Sequence, residues 1–366
     1  MATIDVGAVE RNCRLLKERV GDGVELCAVV KANGYGHGAA VCAAAALRGG
    51  ASRLAVAAAA EAEELRLHFP EVPILVMGAL TAQELRVALA ARADVAVWRE
   101  RFRELCSAVA KDIGHMVPVH VKLDSGMGRL GERDPERLIE LARACAEDQR
   151  LDVVGVWTHF ATADELGDDH FPAQLARFSA VVETVKSRHP GTIAHAANSA
   201  ATLRDPAAHF DLVRCGVAIY GLDPFQRDPD EHGLEPALTL HSYVAAVKRF
   251  DPGESAGYGR TWRAESPTYV ATIPIGYGDG WRRALTNNCD VLIRGRRHPL
   301  VGTVSMDNIT VALGADTDVA VGDEVVLIGA QGEERILAEE VARRLDTINY
   351  EITCALTPRV RRQYVP

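Results

Sequence analysis

Several features that would assign this 366-residue sequence to a particular class of protein are scarce or missing. Its eight cysteines form no Cys-x-x-Cys pair and have irregular spacing, which indicates neither a zinc site nor a disulfide framework. No apolar run is long enough to span a bilayer, and the N-terminus lacks the basic start and apolar stretch of a signal peptide. The net charge is −9 and the basic residues are scattered, unlike the basic stripe of a nucleic-acid-binding protein. We therefore expect a soluble, cytoplasmic protein with no metal, membrane or nucleic-acid partner.

The first two-thirds of the chain repeat one pattern, a short apolar run followed by a stretch with helical spacing. Buried parallel strands read as continuous Val-, Ile- and Leu-rich runs that crossover helices separate. The runs that predict strands are Glu25–Lys31, Arg53–Ala57, Pro73–Gly78, Ala93–Trp98, Met116–Asp124, Leu151–Phe160, Thr192–Ala197 and Phe210–Tyr220. Eight such units predict a (β/α)8 TIM barrel. A doubly wound sheet is the alternative, and the barrel is favoured because no Gly-x-Gly-x-x-Gly motif follows the first strand.

Beyond about Glu235 the sequence changes to short β-rich segments punctuated by glycine, aspartate and proline, as in Gly278-Asp279-Gly280. This composition predicts a mainly-β domain, with one helix near Ile336–Leu345. The polar segment Gln226–Gly233 is the predicted linker. We therefore expect a barrel over residues 1–233 and a C-terminal β domain over residues 234–366.

Chemistry in a barrel of this kind is expected at the C-terminal ends of its strands. The first strand ends at Lys31, and glycines follow at positions 34, 36 and 38. Glycine lets backbone approach a ligand closely, and Tyr35 lies where its hydroxyl is able to reach a phosphate oxygen. A partly desolvated lysine at a barrel mouth is suited to Schiff-base chemistry. The alternative is a solvated lysine that only closes a strand.

The fifth strand ends in a second charged group. Lys122 and Asp124 share one face of the strand by its two-residue period, and Arg129 follows a Gly-Met-Gly turn. A surface ion pair is one interpretation. The close grouping favours an arginine that binds a carboxylate.

The last three strands add further polar groups. His159 follows the sixth strand, although a lone histidine is more often structural than catalytic. Asn198 and Ser199 follow the seventh strand, and Arg214 and Gly216 lie at the eighth, where TIM barrels often bind phosphate. No serine–histidine triad, P-loop or metal cluster competes with this group.

Taken together, these residues resemble the alanine racemase family. The run from Lys31 to Gly38 is similar to the signature around the lysine that carries pyridoxal 5'-phosphate (PLP) in that family. The resemblance continues in order through Lys122–Gly131, His159–Glu165, His195–Leu203, Arg214–Tyr220, Gly257–Gly259, Ile275–Gly280, Ser305–Asp307 and Ile348–Thr353. The family fold is a (β/α)8 barrel followed by a β domain, in agreement with the strand count.

The resemblance implies a PLP-dependent racemase of L- and D-alanine that uses two acid–base groups. Lys31 would carry the cofactor and serve one face of the substrate, and Tyr258 from a partner subunit would serve the other face, so that complete sites require a homodimer. Arg214 matches the arginine that faces the pyridine nitrogen, and His159 matches the group that supports it.

The resemblance also implies the remaining contacts. Arg129 would lie near the cofactor hydroxyl and the substrate carboxylate, and Lys122 matches a lysine that is carbamylated in many members, so carbamylation is a hypothesis here. The positions that match cofactor and phosphate contacts are Tyr35, Asn198, Ser199, Gly216, Val217 and Tyr350. The positions that match the substrate wall and a narrow entrance suited to alanine are Met306, Asp307, Tyr277 and Tyr350.

The sequence leaves three alternatives to an alanine racemase. One is a broad-specificity or serine racemase of the same fold, which should differ around the entrance tyrosines or Met306. Another is a PLP-dependent decarboxylase with the same two-domain design, and a third is a non-catalytic PLP-binding protein that resembles the barrel alone. The usual role of the family is to supply D-alanine for peptidoglycan.

Overall fold

The protein, described here over residues 1–366 by a computed structural model, is built from two compact units. One unit comprises Val9–Ile219, and the other combines Met1–Ala8 with Tyr220–Pro366. The second unit thus begins at Tyr220, shortly before the predicted linker, and the first residues of the chain belong to it because Ala2–Asp5 is a strand of its sheet. The assignment of cofactor binding to residues 1–233 and of a partner-site role to residues 234–366 stays a prediction.

The secondary structure follows the chain in this order. The strands are β1 (Ala2–Asp5), β2 (Glu25–Val29), β3 (Arg53–Val56), β4 (Ile74–Val76), β5 (Asp94–Val97), β6 (Val117–Lys122), β7 (Leu151–Trp157), β8 (Ile193–His195), β9 (Leu212–Cys215), β10 (Leu238–Tyr243), β11 (Ala246–Phe250), β12 (Ser255–Ala256), β13 (Trp262–Arg263), β14 (Thr268–Ile273), β15 (Asp290–Ile293), β16 (Arg296–Pro299), β17 (Ile309–Gly314), β18 (Glu324–Gln331), β19 (Glu334–Ile336) and β20 (Arg362–Val365). The helices are α1 (Val6–Val20), α2 (Lys31–Tyr35), α3 (Ala39–Arg48), α4 (Ala59–His68), α5 (Ala82–Ala90), α6 (Glu100–Ile113), α7 (Pro135–Glu147), α8 (His170–Arg188), α9 (Ser199–Arg204), α10 (Ala338–Arg344) and α11 (Asn349–Cys354).

The first unit contains a closed barrel of eight parallel strands, β2 through β9. Each strand pairs with the next along the chain, and β2 closes the ring against β9. The strands are almost wholly buried, as expected where side chains fill the barrel and helices cover its outside. The predicted (β/α)8 barrel is confirmed.

Two helix starts around the barrel have clear local causes in the sequence. Thr81 and Glu84 form a reciprocal capping box at the start of α5. Asp134 accepts hydrogen bonds from the first backbone amides of α7, and Pro135 occupies the first helical position, where its missing N–H costs nothing. These caps fix where α5 and α7 begin and therefore where the loops before them end.

The second unit is mainly β, as predicted. A sheet in the order β16-β15-β18-β10-β1-β20, with β19 paired to β18, accompanies a three-stranded sheet β11-β14-β17 and the ribbon β12-β13. The terminal strand β1 is parallel to β20 and antiparallel to β10. The helix predicted near Ile336–Leu345 corresponds to α10, whereas α11 and the terminal strands were not anticipated.

Two chain-wide features complete the fold. Seven of the eight cysteines are buried, and burial raises the pKa of thiols such as Cys27 to about 12, so these buried side chains behave as small apolar groups. None of the helices combines the length and the apolar character needed to cross a lipid bilayer.

Candidate active site

Lys31 stands at the C-terminal end of β2, where the backbone takes an unusual course. Residues 32 to 36 all have positive φ, including the non-glycine residues Ala32, Asn33 and Tyr35. A left-handed backbone conformation is energetically unfavourable for residues other than glycine. Such strain persists where the surrounding structure imposes it, often at functional sites. The Asn33 side chain accepts a hydrogen bond from the Ala39 amide at 3.0 Å and so ties this turn to the start of α3. The turn places the Lys31 ammonium 5.9 Å from the ring centre of Tyr35.

Lys122, the last residue of β6, is a buried cation among other cations. It is 4% exposed, and its ammonium lies 4.1 Å from the ring centre of Trp157. Burial, followed by the positive charges of Arg214 and Arg129, lowers the pKa of Lys122 to about 7. A large part of this amine is therefore neutral and nucleophilic near pH 7.

Asp124 organises the turn after β6 and makes no hydrogen bond to Lys122. One of its carboxylate oxygens accepts the Gly126 amide at 3.1 Å and the Gly128 amide at 2.9 Å. These bonds hold the Gly-Met-Gly turn that ends at Arg129. The ion pair considered from sequence is thus replaced by a turn that carries the arginine.

Arg214 on β9 is 3% exposed and is held by neutral acceptors. It donates to His195 Nδ1 at 2.9 Å, to His159 Nδ1 at 3.2 Å, and to the carbonyl oxygens of Thr158 and Ala196 at 2.9 and 3.0 Å. Burial lowers the pKa of Arg214 to about 10, so the guanidinium remains a cation at neutral pH. Burial, reinforced by the charge of Arg214, holds the pKa of both His159 and His195 well below the usual histidine range.

The ends of β8 and β9 bring together three of the predicted phosphate contacts. Ser199 Oγ accepts the amides of Gly216 and Ala218 at 3.1 and 3.3 Å. A Cβ atom at Gly216 would collide with the Tyr35 hydroxyl, so only glycine allows this close approach. The Asn198 side chain caps α9 by accepting the Ala201 amide at 2.9 Å, and the Val217 side chain is buried.

The other predicted residues lie in the second unit. Tyr258 lies in a short turn and is 74% exposed. Its backbone carbonyl oxygen accepts a hydrogen bond from the Thr303 hydroxyl at 2.7 Å. The Tyr277 amide donates to the Ser305 carbonyl at 3.1 Å, and the next amide, that of Gly278, donates to the Met306 carbonyl at 2.9 Å.

These bonds join the Tyr277 turn to the loop that carries Met306 and Asp307. Asp307 also accepts from Arg359 at 2.7 Å, and Tyr350 lies in α11.

His195, which bonds to Arg214, and two further polar residues behind it had no predicted role. His120 bonds to His195, and Asp94 bonds to His120. A signal for His120 was present, because it lies two residues before Lys122 and therefore on the same face of the strand. Asp94 gave no such signal, since it opens a strand at the end of the barrel opposite the expected chemistry.

Comparison with known proteins gives matches over nearly the whole chain. Residues 4–224 match the family model described as "Alanine racemase, N-terminal domain", and residues 237–364 match "Alanine racemase, C-terminal domain". The alanine racemase of Symbiobacterium thermophilum is 43% identical over 99% of this chain and 96% of that protein, and the enzyme of Geobacillus stearothermophilus is 41% identical over 99% and 92%. Among solved structures, the alanine racemase of Streptomyces coelicolor superposes with a TM-score of 0.94 at 38% identity, covering 100% of this chain and 97% of that one.

Proposed function

This chain belongs to the alanine racemase family, and we propose that it interconverts L- and D-alanine by a two-base mechanism using Lys31 and Tyr258 of the partner subunit. The family is PLP-dependent, so PLP is the cofactor. When bound, PLP supplies an electron sink that acidifies the Cα proton of an attached amino acid. A racemase then needs one group that removes the proton from one face and another that returns it to the opposite face.

The observation that carries the proposal is the set of side chains at the mouth of the barrel, which fits PLP part by part. Lys31 offers the amine that holds the cofactor. Ser199 accepts two backbone amides, so its own proton is oriented as a donor, and the Tyr35 hydroxyl lies beside Gly216. These groups suit the phosphate. Arg214, at the neighbouring strand end, suits the ring nitrogen.

Arg214 would keep the pyridine nitrogen unprotonated. Its guanidinium is a cation that donates hydrogen bonds and accepts none, and the two imidazoles that hold it are neutral. A donor of this kind hydrogen-bonds to the nitrogen without giving up its proton. By keeping this nitrogen unprotonated, Arg214 would favour return of the proton to Cα over side reactions such as transamination.

Lys122 would be carbamylated. Its lowered pKa leaves a neutral amine that attacks the carbon of CO2, loses one proton to water and becomes an N-carboxylate. The product carries a negative charge among Arg129, Arg214 and Lys31, where a positive one is disfavoured. The new carboxylate would orient Arg129 toward the substrate carboxylate. Incubation with 13C-bicarbonate should give a protein-bound carbamate signal in the wild type that is absent from Lys122→Met, and equal signals would contradict the assignment.

Tyr258 would act in the site of a partner subunit. Its phenol is exposed and belongs to the unit that lacks Lys31, which is consistent with a homodimer that shares its sites. Met306 and Asp307 of the same unit would form the wall beside the substrate, with the Met306 amide on its carboxylate. Tyr277 and Tyr350 would narrow the entrance, so that a methyl side chain fits and larger ones are disfavoured. The physiological role we propose is supply of D-alanine for peptidoglycan.

Chiral chromatography of alanine tests the function directly. Purified protein with PLP should convert either pure enantiomer to an equal mixture, and Lys31→Ala should convert neither. L-Serine measured in parallel distinguishes a broad-specificity racemase, and release of CO2 from the amino acid would indicate a decarboxylase. Absence of alanine racemisation by the PLP-loaded wild type would contradict the proposal.

A further inference from the structure

Behind the candidate site, four polar side chains form a line through the inside of the barrel from Arg214 to Asp94. Arg214 bonds to His195 Nδ1 at 2.9 Å, and His195 Nε2 lies 2.8 Å from His120 Nδ1. His120 Nε2 in turn lies 3.2 Å from a carboxylate oxygen of Asp94. All four side chains are buried.

The hydrogen bonds in this line have only one consistent direction. A guanidinium only donates, so His195 Nδ1 accepts and the proton of this neutral ring is on Nε2. His195 therefore donates to His120 Nδ1, which places the His120 proton on Nε2, facing Asp94. Each imidazole is thereby fixed in a single tautomer, with a cation at one end of the line and a carboxylate at the other.

The backbone around His120 is shaped to admit its ring. The pairing of β6 with β7 shifts register at this point, because Val119 is opposite Val153 whereas His120 is opposite Gly155. Such a bulge redirects a side chain. A Cβ atom at Gly155 would collide with His120 Nδ1, the atom that accepts from His195. Trp157 also stacks on the His195 ring, with centres 5.6 Å apart and planes 7° apart.

The buried charge of Arg214 calls for a negative partner that leaves the N–H donors of the guanidinium free for other contacts. A buried cation is costly without a partner, and each polar contact of the guanidinium is an uncharged carbonyl or imidazole. A carboxylate in direct contact would take the donors that face the barrel mouth. Asp94 lies two imidazoles away, and the oxygen that faces His120 is also 3.9 Å from Arg53, which itself donates to Glu25 at 2.9 Å.

We propose that Asp94 is the remote counter-ion of Arg214 and positions its guanidinium through His120 and His195, each held in the Nε2-protonated tautomer. These three are positioning residues, and their consequence for the cofactor rests on the proposed function. Loss of the Asp94 acceptor frees His120 to place its proton on Nδ1, which removes the acceptor of His195. The hydrogen bond from Arg214 to His195 Nδ1 is then formed in only part of the molecules, and the orientation of the guanidinium is less well defined.

Histidine 15N NMR of the PLP-loaded protein tests the line without relying on activity. The wild type should show both rings neutral and protonated on Nε2, with assignments made through His120→Gln. Asp94→Leu should shift both rings toward a mixture of tautomers, whereas Asp94→Asn, which keeps an acceptor oxygen, should largely restore them. Glu25→Gln is the matched control, since it removes the other carboxylate beside Arg53, and should leave both tautomers unchanged.

Kinetics give a second readout. We expect kcat for alanine to fall about tenfold in Asp94→Leu, with an intermediate value for Asp94→Asn and none of this loss in Glu25→Gln. Unchanged tautomers in Asp94→Leu, or a wild type with Nδ1-protonated rings, would overturn the positioning role even in an active racemase. If Asp94→Leu does not fold, the tautomers of the wild type and of Asp94→Asn still test the proposed positioning role. Expected tautomers in a wild type that does not racemise alanine would support the line and reject the proposed function.

Discussion

Burial changes the properties of single residues in this site more than their identity suggests. Lys122 and Arg214 are both cations in the sequence, yet burial lowers the pKa of Lys122 to about 7 and that of Arg214 only to about 10. At neutral pH the lysine is therefore partly a nucleophile, while the arginine is still a fixed charge. This difference is the physical basis for the separate roles we propose: Lys122 is carbamylated and orients Arg129, and Arg214 is a permanent hydrogen-bond donor.

The depressed pKa of Lys122 predicts a pH dependence of stability in CO2-free buffer. Between pH 7 and about 10.5 the unfolded chain binds a proton at this lysine that the folded chain does not, so the free energy of unfolding rises with pH. Below pH 7 both states are protonated, and the full cost of burying the charge is present. Urea unfolding of the wild type relative to Lys122→Met should show this rise.

Lys111→Met is the control for that measurement, because Lys111 is exposed on α6. The difference in free energy of unfolding between Lys111→Met and the wild type should not change with pH over the same pH range. A flat difference for Lys122→Met as well would mean that the amine is not desolvated in the folded protein.

Within the barrel, the residues that could be predicted from sequence lie near the ends of the strands. Lys31, Lys122, Ser199 and Arg214 all lie there because eight parallel strands bring their C-terminal ends to one face. Asp94 escaped this reasoning, since it begins its strand and reaches the site only through two other side chains. The link between them also needs the contact of His120 on β6 with His195 on β8, two strands that do not pair, and no local pattern records such a contact.

Among secondary-structure elements, the strands that belong to the repeated strand–helix pattern of the barrel were predictable, even where they are as short as β4 and β8, and the terminal strands were not. The barrel strands appear as apolar runs within the predicted boundaries, although β9 covers only four residues of the predicted eighth run. The strands β1 and β20 are four residues each and pair with each other, and β1 pairs on its other side with β10. Such pairing joins the two ends of the chain and leaves no periodic signal in either segment.

The junction of β9 with the following turn yields a prediction about cofactor binding. Gly216→Ala would push against the Tyr35 hydroxyl and displace one proposed phosphate donor. The dissociation constant for PLP should rise about tenfold, the cost of one such hydrogen bond, with little change in melting temperature. Gly191→Ala is a matched control, because a methyl group there meets no atom within 4 Å. Equal PLP affinity in both variants would remove Gly216 from the proposed phosphate site.

At the scale of the whole molecule, the proposed catalytic groups belong to different compact units. Lys31 and its neighbours are in the unit Val9–Ile219, and Tyr258, Tyr277 and Met306 are in the unit that includes Tyr220–Pro366. The sequence predicted a barrel and a mainly-β domain because their patterns differ in period. It did not predict that the first strand would join the C-terminal unit, since a four-residue segment carries no mark of its distant partners.

In the proposed dimer, each site for alanine racemisation combines Lys31 of one chain with Tyr258 of the partner subunit. Mixing Lys31→Ala with Tyr258→Phe, after dissociation and reassociation of the two proteins, tests this sharing of sites. A mixed dimer with shared sites has one site carrying both substitutions and one wild-type site, so an equal random mixture should recover about one quarter of wild-type activity. Activity no greater than the sum of the two separate variants would contradict the shared site.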